Sequence, residues 1–446
     1  MKNAYKKRVL VLALFAGEIM LKAGAEIYRV EDTIIRICKA CRIDYVECFA
    51  MTTGITLSLD TAEDDADMHT FIKRISRTTI DLTKISKINQ FSRVFTSTDL
   101  SVADGFEQLR AINAEKGYPF LLRLLGAMLV GAFTLQLYGG GGTDTLCGAG
   151  VSGVAYVLSE AVGKLRFPAF IRIFISSAAC ALLLFFLSAI GIAHNVTPLV
   201  IASLMIFMPG VSITTAARDL LSGDMLSGIA RFAEALIIAV AIAGGGGSML
   251  KLWQSTGGLL TQSPSYEYSV FLFLLFGTLS TIGFCVLFNA PLRQIPVISL
   301  IGGAGMLSLA SGIQYGLGDL ASCFLGTCIV AIFAECASRA GKDATTVFIL
   351  PGIIPFVPGT MIYQTMDSIL SGNYIQAAGE ASEALLTAGS IAAALILIAS
   401  LTRLINAVVR RISEKLAERR ERLERAAQEV QDSLDTQDSQ NAEDQR

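Results

Sequence analysis

The sequence predicts a polytopic α-helical membrane protein, with about ten transmembrane helices as two inverted five-helix repeats and an N-terminal cytosolic α+β domain. Three observations predict it. The 446 residues are 53% hydrophobic and only 17% charged, with mean hydropathy +0.57, whereas a soluble chain carries about a quarter charged residues. The charge is also segregated: Tyr118 to Val409 holds eleven Lys and Arg, while the first 117 residues and the last 37 are densely charged. Finally, the chain repeats itself. Phe207-Met208-Pro209-Gly210-Val211-Ser212-Ile213 returns 149 residues later as Phe356-Val357-Pro358-Gly359-Thr360-Met361-Ile362. Ten of the thirty-one positions from 207 to 237 are identical at that offset without a gap, including Ser222-Gly223 with Ser371-Gly372 and Glu234-Ala235-Leu236 with Glu383-Ala384-Leu385. That is an internal duplication.

Residues 1–117 read as the soluble α+β domain. Lys6-Lys7-Arg8 followed by the apolar run Val9–Gly17 imitates a secretory signal. Glu18 and Lys22 follow at once, however, and Ile19, Met20, Ala23 and Ile27 continue at one-face helical spacing. An amphipathic helix of a folded domain is the better reading, giving helices about 8–23 and 28–41. Strands are expected over 45–50 and 54–59 around a turn at Thr52-Thr53-Gly54, with a third from His69 to Ser76. Helices near 79–92 and 100–115 close the domain, with Ser101 before Asp104 as a cap. A lone His69 reads as structural. Cys38-Lys39-Ala40-Cys41 has the spacing of a redox or metal pair, but no second pair or histidine lies nearby, so it reads as two thiols on a reduced helix. No nucleophile–base pair appears, so neither enzymatic activity nor a cofactor or metal is expected.

From Tyr118 the chain divides into ten apolar segments long enough, or nearly so, to cross a bilayer. They lie near 119–138, 144–163, 169–190, 196–217 and 228–250 in the first repeat (118–255). In the second (268–405) they lie near 269–289, 294–312, 318–338, 346–366 and 382–405. With the N-terminal domain in the cytoplasm, ten of the eleven basic residues fall at cytoplasmic ends and only Lys251 falls outside. Residues 406–446 form a charged cytoplasmic tail, expected to be disordered from about Asp432. A net charge of −2 excludes a broadly basic nucleic-acid binder.

Each half has an odd number of spans, so the second enters the membrane from the opposite side, and the breaks at Pro209-Gly210 and Pro358-Gly359 face opposite compartments. Inverted halves with discontinuous helices are the arrangement of secondary transporters, with substrate held near the midplane. Ionisable groups inside spans are costly and mark function. The candidates are Asp144 at an outer mouth, Glu160 and Glu335 towards cytoplasmic ends, the repeat-matched Glu234 and Glu383, and Asp219 beside Arg218. Interfacial side chains reaching water, or a packing role shared by both repeats, would account for the same glutamates. Pro209, Gly210, Pro351, Gly352, Pro358 and Gly359 break the helices, and the helix starts after Gly210 and Gly359 would offer amides and a positive dipole end to a carboxylate. Ser212, Thr214 and Thr215 could bond a hydroxylated substrate, or cap carbonyls freed by the break. An acidic group such as Asp144 or Glu335 could meet an ammonium or carry a proton.

Gly24-Ala25-Glu26-Ile27-Tyr28-Arg29-Val30-Glu31 with the 46–59 strands, Met208-Pro209-Gly210 with Arg218-Asp219-Leu220-Leu221-Ser222-Gly223-Asp224, and Leu350-Pro351-Gly352-Ile353-Ile354-Pro355-Phe356-Val357-Pro358-Gly359 resemble the threonine/serine exporter family. The resemblance runs in the family's order from about residue 10 to 405. It implies a ten-span inner-membrane protein that exports small amino acids, threonine and serine, driven by the proton motive force. Some relatives split the two halves into separate subunits and are linked to dicarboxylate (succinate) export. Expected partners are therefore small amino acids, protons and the lipid bilayer, with homo-oligomerisation left open. From another class, the rival is a membrane-anchored sensor, which would not need breaks and acidic residues matched across two repeats.

Overall fold

The computed structural model describes residues 2–43, 45–59, 69–76, 78–98, 100–255 and 268–443. The chain forms two compact units, Met1–Leu395 and Ile396–Arg446. It opens with α1 (Lys2–Lys22) and α2 (Ile27–Ala40), then the antiparallel meander β1 (Val46–Met51), β2 (Gly54–Leu59) and β3 (His69–Arg74), then α3 (Leu82–Ser97) and α4 (Val102–Ala114).

α1 is enclosed rather than amphipathic. Val9, Leu10, Leu12, Ala13, Ala16 and Ile19 are at most 2% exposed, and the helix touches α2, α3, α4 and β2. A helix that is apolar nearly all round belongs inside a core, which is why its sequence imitates a signal segment. α2 carries the stripe Val30, Ile34, Ile37 on its buried face, as its spacing requires. α3 starts later than the expected 79 because residues 79–81 are extended: the amides of Thr79 and Asp81 donate to the carbonyls of Lys22 and Ala23 at the end of α1 (2.8 and 3.1 Å). Asp81 then caps α3 by accepting from the Lys84 amide (3.1 Å). At α4 the Ser101 hydroxyl accepts from the Asp104 amide at 3.2 Å and donates to the Asp104 carboxylate, so the expected cap is present.

The apolar helices follow: α5 (Phe120–Leu137), α6 (Gly142–Lys164), α7 (Ala169–Ala189), α8 (Val196–Leu204) with a 3-10 turn Met205–Phe207, α9 (Gly210–Ser222) and α10 (Met225–Ser255). Then come α11 (Val270–Leu287), α12 (Ile295–Gln314), α13 (Asp319–Gly341), α14 (Thr345–Ile353) with a 3-10 turn Ile354–Phe356, α15 (Gly359–Leu370) and α16 (Tyr374–Glu443). Among the described residues eight helices are long and apolar enough to cross a membrane. Two bent pairs, α8/α9 at 64° and α14/α15 at 48°, bring the number to ten if each counts as one span. This is a polytopic helical membrane protein. The bends fall at Met208-Pro209 and Val357-Pro358, where proline removes an amide and its ring clashes with the preceding turn.

Small residues set the closest helix approaches, as packing inside a bilayer favours. α5 and α11 lie against one another with Gly126 facing Gly283: a Cβ on Gly126 would stand 3.1 Å from the Gly283 carbonyl oxygen. Thr134 and Ser280 hydroxyls bond at 3.1 Å, and the Tyr118 amide donates to Asn289 at 3.1 Å. As numbering rises along α5 it falls along α11, so these two helices are antiparallel. A second close contact holds α5 to α6, where a Cβ on Gly131 would collide with Ser152.

In the second unit the backbone is helical through Glu443, beyond the point near Asp432 where disorder is expected. The segment after Arg419 holds neither Gly nor Pro and is rich in Ala, Glu, Gln and Arg, all good helix formers.

Candidate functional site: two cavities on two broken helices

Each broken helix lines a cavity. The first, of about 310 Å³, is built on Met208, Pro209, Val211 and Ser212, with Arg172, Arg231 and Glu234 from α7 and α10. Its roof is the N-terminal segment, through Leu21, Gly24, Thr52, Thr78, Thr79 and Ile80. The second, of about 710 Å³, is built on Val357, Pro358, Thr360 and Met361, with Tyr138, Tyr268, Gln314, Asp319 and Thr387. α11 spans the distance between them: Val270 and Phe273 line the second cavity, Phe284 and neighbouring Phe288 the first. The cavities therefore open at opposite ends of the helix layer.

The two breaks touch each other reciprocally. A Cβ on Gly210 would stand 2.9 Å from Val357 Cγ1, and a Cβ on Gly359 would stand 3.0 Å from Met208 Cγ. Positions 208 and 357, like 210 and 359, are matched by the sequence repeat, so the same pair of positions meets twice in this contact. A small apolar groove of about 120 Å³ extends the pattern. Ile213, Ala235 and Leu236 line it from one half and their equivalents Ile362, Ala384 and Leu385 from the other.

The remaining candidate residues divide sharply. Pro209, Ser212 and Glu234 line the first cavity and Pro358 the second. Thr214 and Thr215 are buried and donate to carbonyls of their own helix, Thr214 to Gly210 at 2.9 Å and Thr215 to Val211 at 2.6 Å. Asp219 is buried beside Arg231, 3.1 Å from its Nε. Pro351 lies inside α14, and Gly352 packs towards Val330 and Ile301. Glu160 pairs with Arg123 at 3.7 Å. Glu335 pairs with Arg339 at 3.6 Å and accepts from Thr345. Glu383 is exposed on α16 and lines neither cavity. The side chain of Asp367, the counterpart of Arg218, lies outside the described residues, as does that of His69.

Asp144 is buried at 3% exposure, and its carboxylate accepts from the backbone amides of His194 (2.9 Å) and Asn195 (3.0 Å), fixing the chain where it enters α8. Asp144→Ala would leave two partly or fully buried amides without their acceptor, at about 1–3 kcal/mol each. A fall in thermal stability of the solubilised chain is the expected outcome; an unchanged melting temperature would show that water replaces the carboxylate there.

Sequence reasoning missed the cluster that ties the N-terminal segment to both broken helices. Glu26 stands at the N-cap of α2 but makes no cap bond. Its carboxylate instead accepts from Arg29 Nε (2.9 Å), from the Arg218 guanidinium on α9, and from the Thr346 hydroxyl (3.0 Å) in the first turn of α14. Burial pushes the Glu26 carboxyl pKa up, but the Arg218 and Arg29 charges outweigh it, and hydrogen bonds from Tyr28 and Thr346 add to them, leaving it at about 2. A second tie is Asn289, whose carbonyl accepts from the Thr83 amide and hydroxyl (2.9 and 2.6 Å) and whose side-chain amide donates to Asp81 (2.7 Å). Asn289 adopts a left-handed φ of 51°, which asparagine tolerates better than most residues. The Cys38 thiol is buried and its pKa is pushed up to about 12 by desolvation, so it is held as a neutral thiol. Among the described residues no three His, Cys, Asp or Glu side chains come together in a way that could hold a metal ion.

Known proteins are similar to this chain over most of its length. Residues 11–253 match a threonine/serine exporter family model, and residues 273–401 match a second, described as "Threonine/Serine exporter, ThrE". A Mycobacterium tuberculosis protein named "Probable threonine/serine exporter" is 22% identical over 377 residues, covering 82% of this chain and 70% of its own. A Corynebacterium glutamicum protein named "Threonine/serine exporter" is 20% identical over 401 residues, covering 87% of this chain and 81% of its own. No solved structure matches the chain. The two family models together cover both broken helices and the segment that roofs the first cavity, and the chain belongs to the threonine/serine exporter family.

Proposed function

We propose that the chain is a secondary exporter of small amino acids, threonine and serine, coupled to the proton motive force and working by alternating access between two inverted five-helix halves. It is a transporter rather than an enzyme. The observation that carries the reading is the pair of cavities at opposite ends of α11, each built on a Pro-Gly break, with the two breaks in reciprocal contact. A carrier needs one solute path reachable from either side in turn, and a reciprocal contact is a joint about which two similar bodies can rock. The antiparallel run of α5 and α11, which open the two halves, supports the inversion.

In this reading the N-terminal segment, 1–117, and the tail, 406–446, are cytoplasmic, as the distribution of basic residues favours. The cavity roofed by that segment then faces the cytoplasm, and the larger one faces outward. Glu234 in the first and Asp319 in the second are the carboxylates placed to carry a proton. Asp144 and Glu335 line neither cavity.

Counterflow in proteoliposomes with labelled threonine, serine and succinate, with and without a pH gradient, tests the assignment. Threonine and serine are expected to exchange, with net flux rising when the gradient is imposed. Succinate carried and threonine ignored would make the chain a dicarboxylate exporter. No flux of any of the three, with the N-terminal segment intact, would favour a membrane-anchored sensor.

A further inference from the structure

The cavity under the N-terminal segment is lined by two unlike charges, Arg172 and Glu234, that pair with no described residue. Among the described residues the Arg172 guanidinium makes no hydrogen bond or ion pair, and its Nε is buried without a partner. Glu234 lines the same cavity as an exposed side chain and makes no hydrogen bond or ion pair among the described residues. The third charge, Arg231, is spent on Asp219 (3.1 Å) and on the Ala25 carbonyl (3.2 Å). A buried guanidinium nitrogen without an acceptor is rare in a native structure and calls for an explanation. Arg172 and Glu234 are not within ion-pair distance of each other, although α7 and α10 pack together along their lengths. The two unlike charges are therefore both free to meet a third body.

We propose that this cavity is the cytoplasmic binding site for a zwitterionic amino acid, with the carboxylate on Arg172 and the ammonium on Glu234. The N-terminal segment completes the site by presenting Thr52 and Thr78 to the side chain. The inference rests on the exporter reading and deepens it, because it gives residues of the first 117 a direct part in recognition. The chemistry fits each group. A guanidinium offers paired donors to a carboxylate, and a carboxylate takes an ammonium through charge-assisted bonds. Val211 and Ser212, in the first turn of α9, line the same space. A volume of about 310 Å³ lies at the bottom of the ~300–1,000 Å³ range of ligand pockets, which suits a solute of a few heavy atoms. One cation and one anion in the same space favour a zwitterion over a dianion, which Glu234 would repel.

The test is equilibrium binding of labelled threonine, threoninamide and N-acetylthreonine to the purified full-length chain in nanodiscs, made with and without phosphatidylglycerol. Arg172→Gln is expected to weaken threonine at least tenfold and leave threoninamide, which lacks the carboxylate, unchanged. Glu234→Gln is expected to weaken threonine similarly and leave N-acetylthreonine, which lacks the ammonium, unchanged. Preserved binding of the truncated ligand shows in each case that the variant is folded, and Arg172→Lys is expected to regain part of the affinity for threonine. If both variants bind threonine as the unaltered chain does, the cavity is not the site, while the exporter reading stands. If the unaltered chain neither binds nor exchanges threonine, the exporter reading falls and this inference with it. An Arg172→Gln effect confined to nanodiscs containing phosphatidylglycerol would assign the arginine to a lipid headgroup and overturn the proposal.

Discussion

Gly210→Leu is expected to stop threonine counterflow while the chain still inserts and purifies at normal yield. The first added atom decides it. A Cβ at 210 would stand 2.9, 3.1 and 3.2 Å from Val357 Cγ1, Cβ and Cγ2, and Val357 is only 3% exposed. A valine stiff at χ1 cannot turn its methyls aside, so the backbone of one break must move off the other. Overpacking of this kind costs about 1–3 kcal/mol, roughly 5- to 150-fold in any equilibrium between two packings of the same joint. The repeat-equivalent Gly359→Leu is also expected to block transport, but the alanine pair separates the two sites. Gly359 faces Met208, at 3.0 Å from Cγ and 3.2 Å from Sδ, and a methionine adapts where a valine does not. Gly210→Ala should therefore slow exchange several-fold more than Gly359→Ala, and Val357→Ala should restore the Gly210→Ala variant. Wild-type counterflow in both leucine variants would remove the joint from the mechanism.

The parts of this architecture that were legible in the sequence are those written in local pattern. Runs of about twenty apolar residues announce spans, and Pro209-Gly210 and Pro358-Gly359 announce breaks, because composition and backbone chemistry act within a few residues of themselves. The Ser101–Asp104 cap was readable for the same reason. Glu26 was not: its partners Arg218 and Thr346 lie 192 and 320 positions away, and no spacing rule connects them. Asp144 shows the converse. An acidic residue at the mouth of a span has the appearance of a solute or proton group, yet its carboxylate is occupied by the amides of His194 and Asn195, a use that depends on where a distant loop passes. The hydroxyls of Thr214 and Thr215 are likewise taken by their own helix, while Ser212, two residues earlier on α9, reaches the cavity. By its place in the sequence Arg172 is one more basic residue near the end of an apolar segment. Only the packing of α7 against α10 reveals that it has no partner.

Glu26→Ala is expected to produce a large loss of stability. Glu26 is 2% exposed and its carboxylate stands between two guanidiniums, so removing it strips the partner from Arg218 and Arg29, both partly buried. Breaking a buried pair in this way costs about 3–5 kcal/mol. The loss is specific in place, because this carboxylate bonds α9 and α14 at once. The N-terminal segment should loosen from both breaks, and the chain near residues 115–119 should become open to protease before the helices unfold. Removing the stranded charge should help, so the Glu26→Leu, Arg218→Met pair should melt above Glu26→Leu alone, a non-additivity that a double-mutant cycle reads directly. The pH dependence has a defined sign. A carboxyl whose folded pKa of about 2 lies below its ordinary value of 4.5 contributes stability that is present above pH 4.5 and fades as pH falls towards 2. The melting temperature of the unaltered chain should therefore drop through that window, and that of Glu26→Gln should drop less. If Glu26→Ala melts with the unaltered chain and resists protease equally, the cluster does not hold the segment to the breaks, and the roof over the first cavity must be kept in place by other contacts, such as those of Asn289 and of Arg231 with the Ala25 carbonyl.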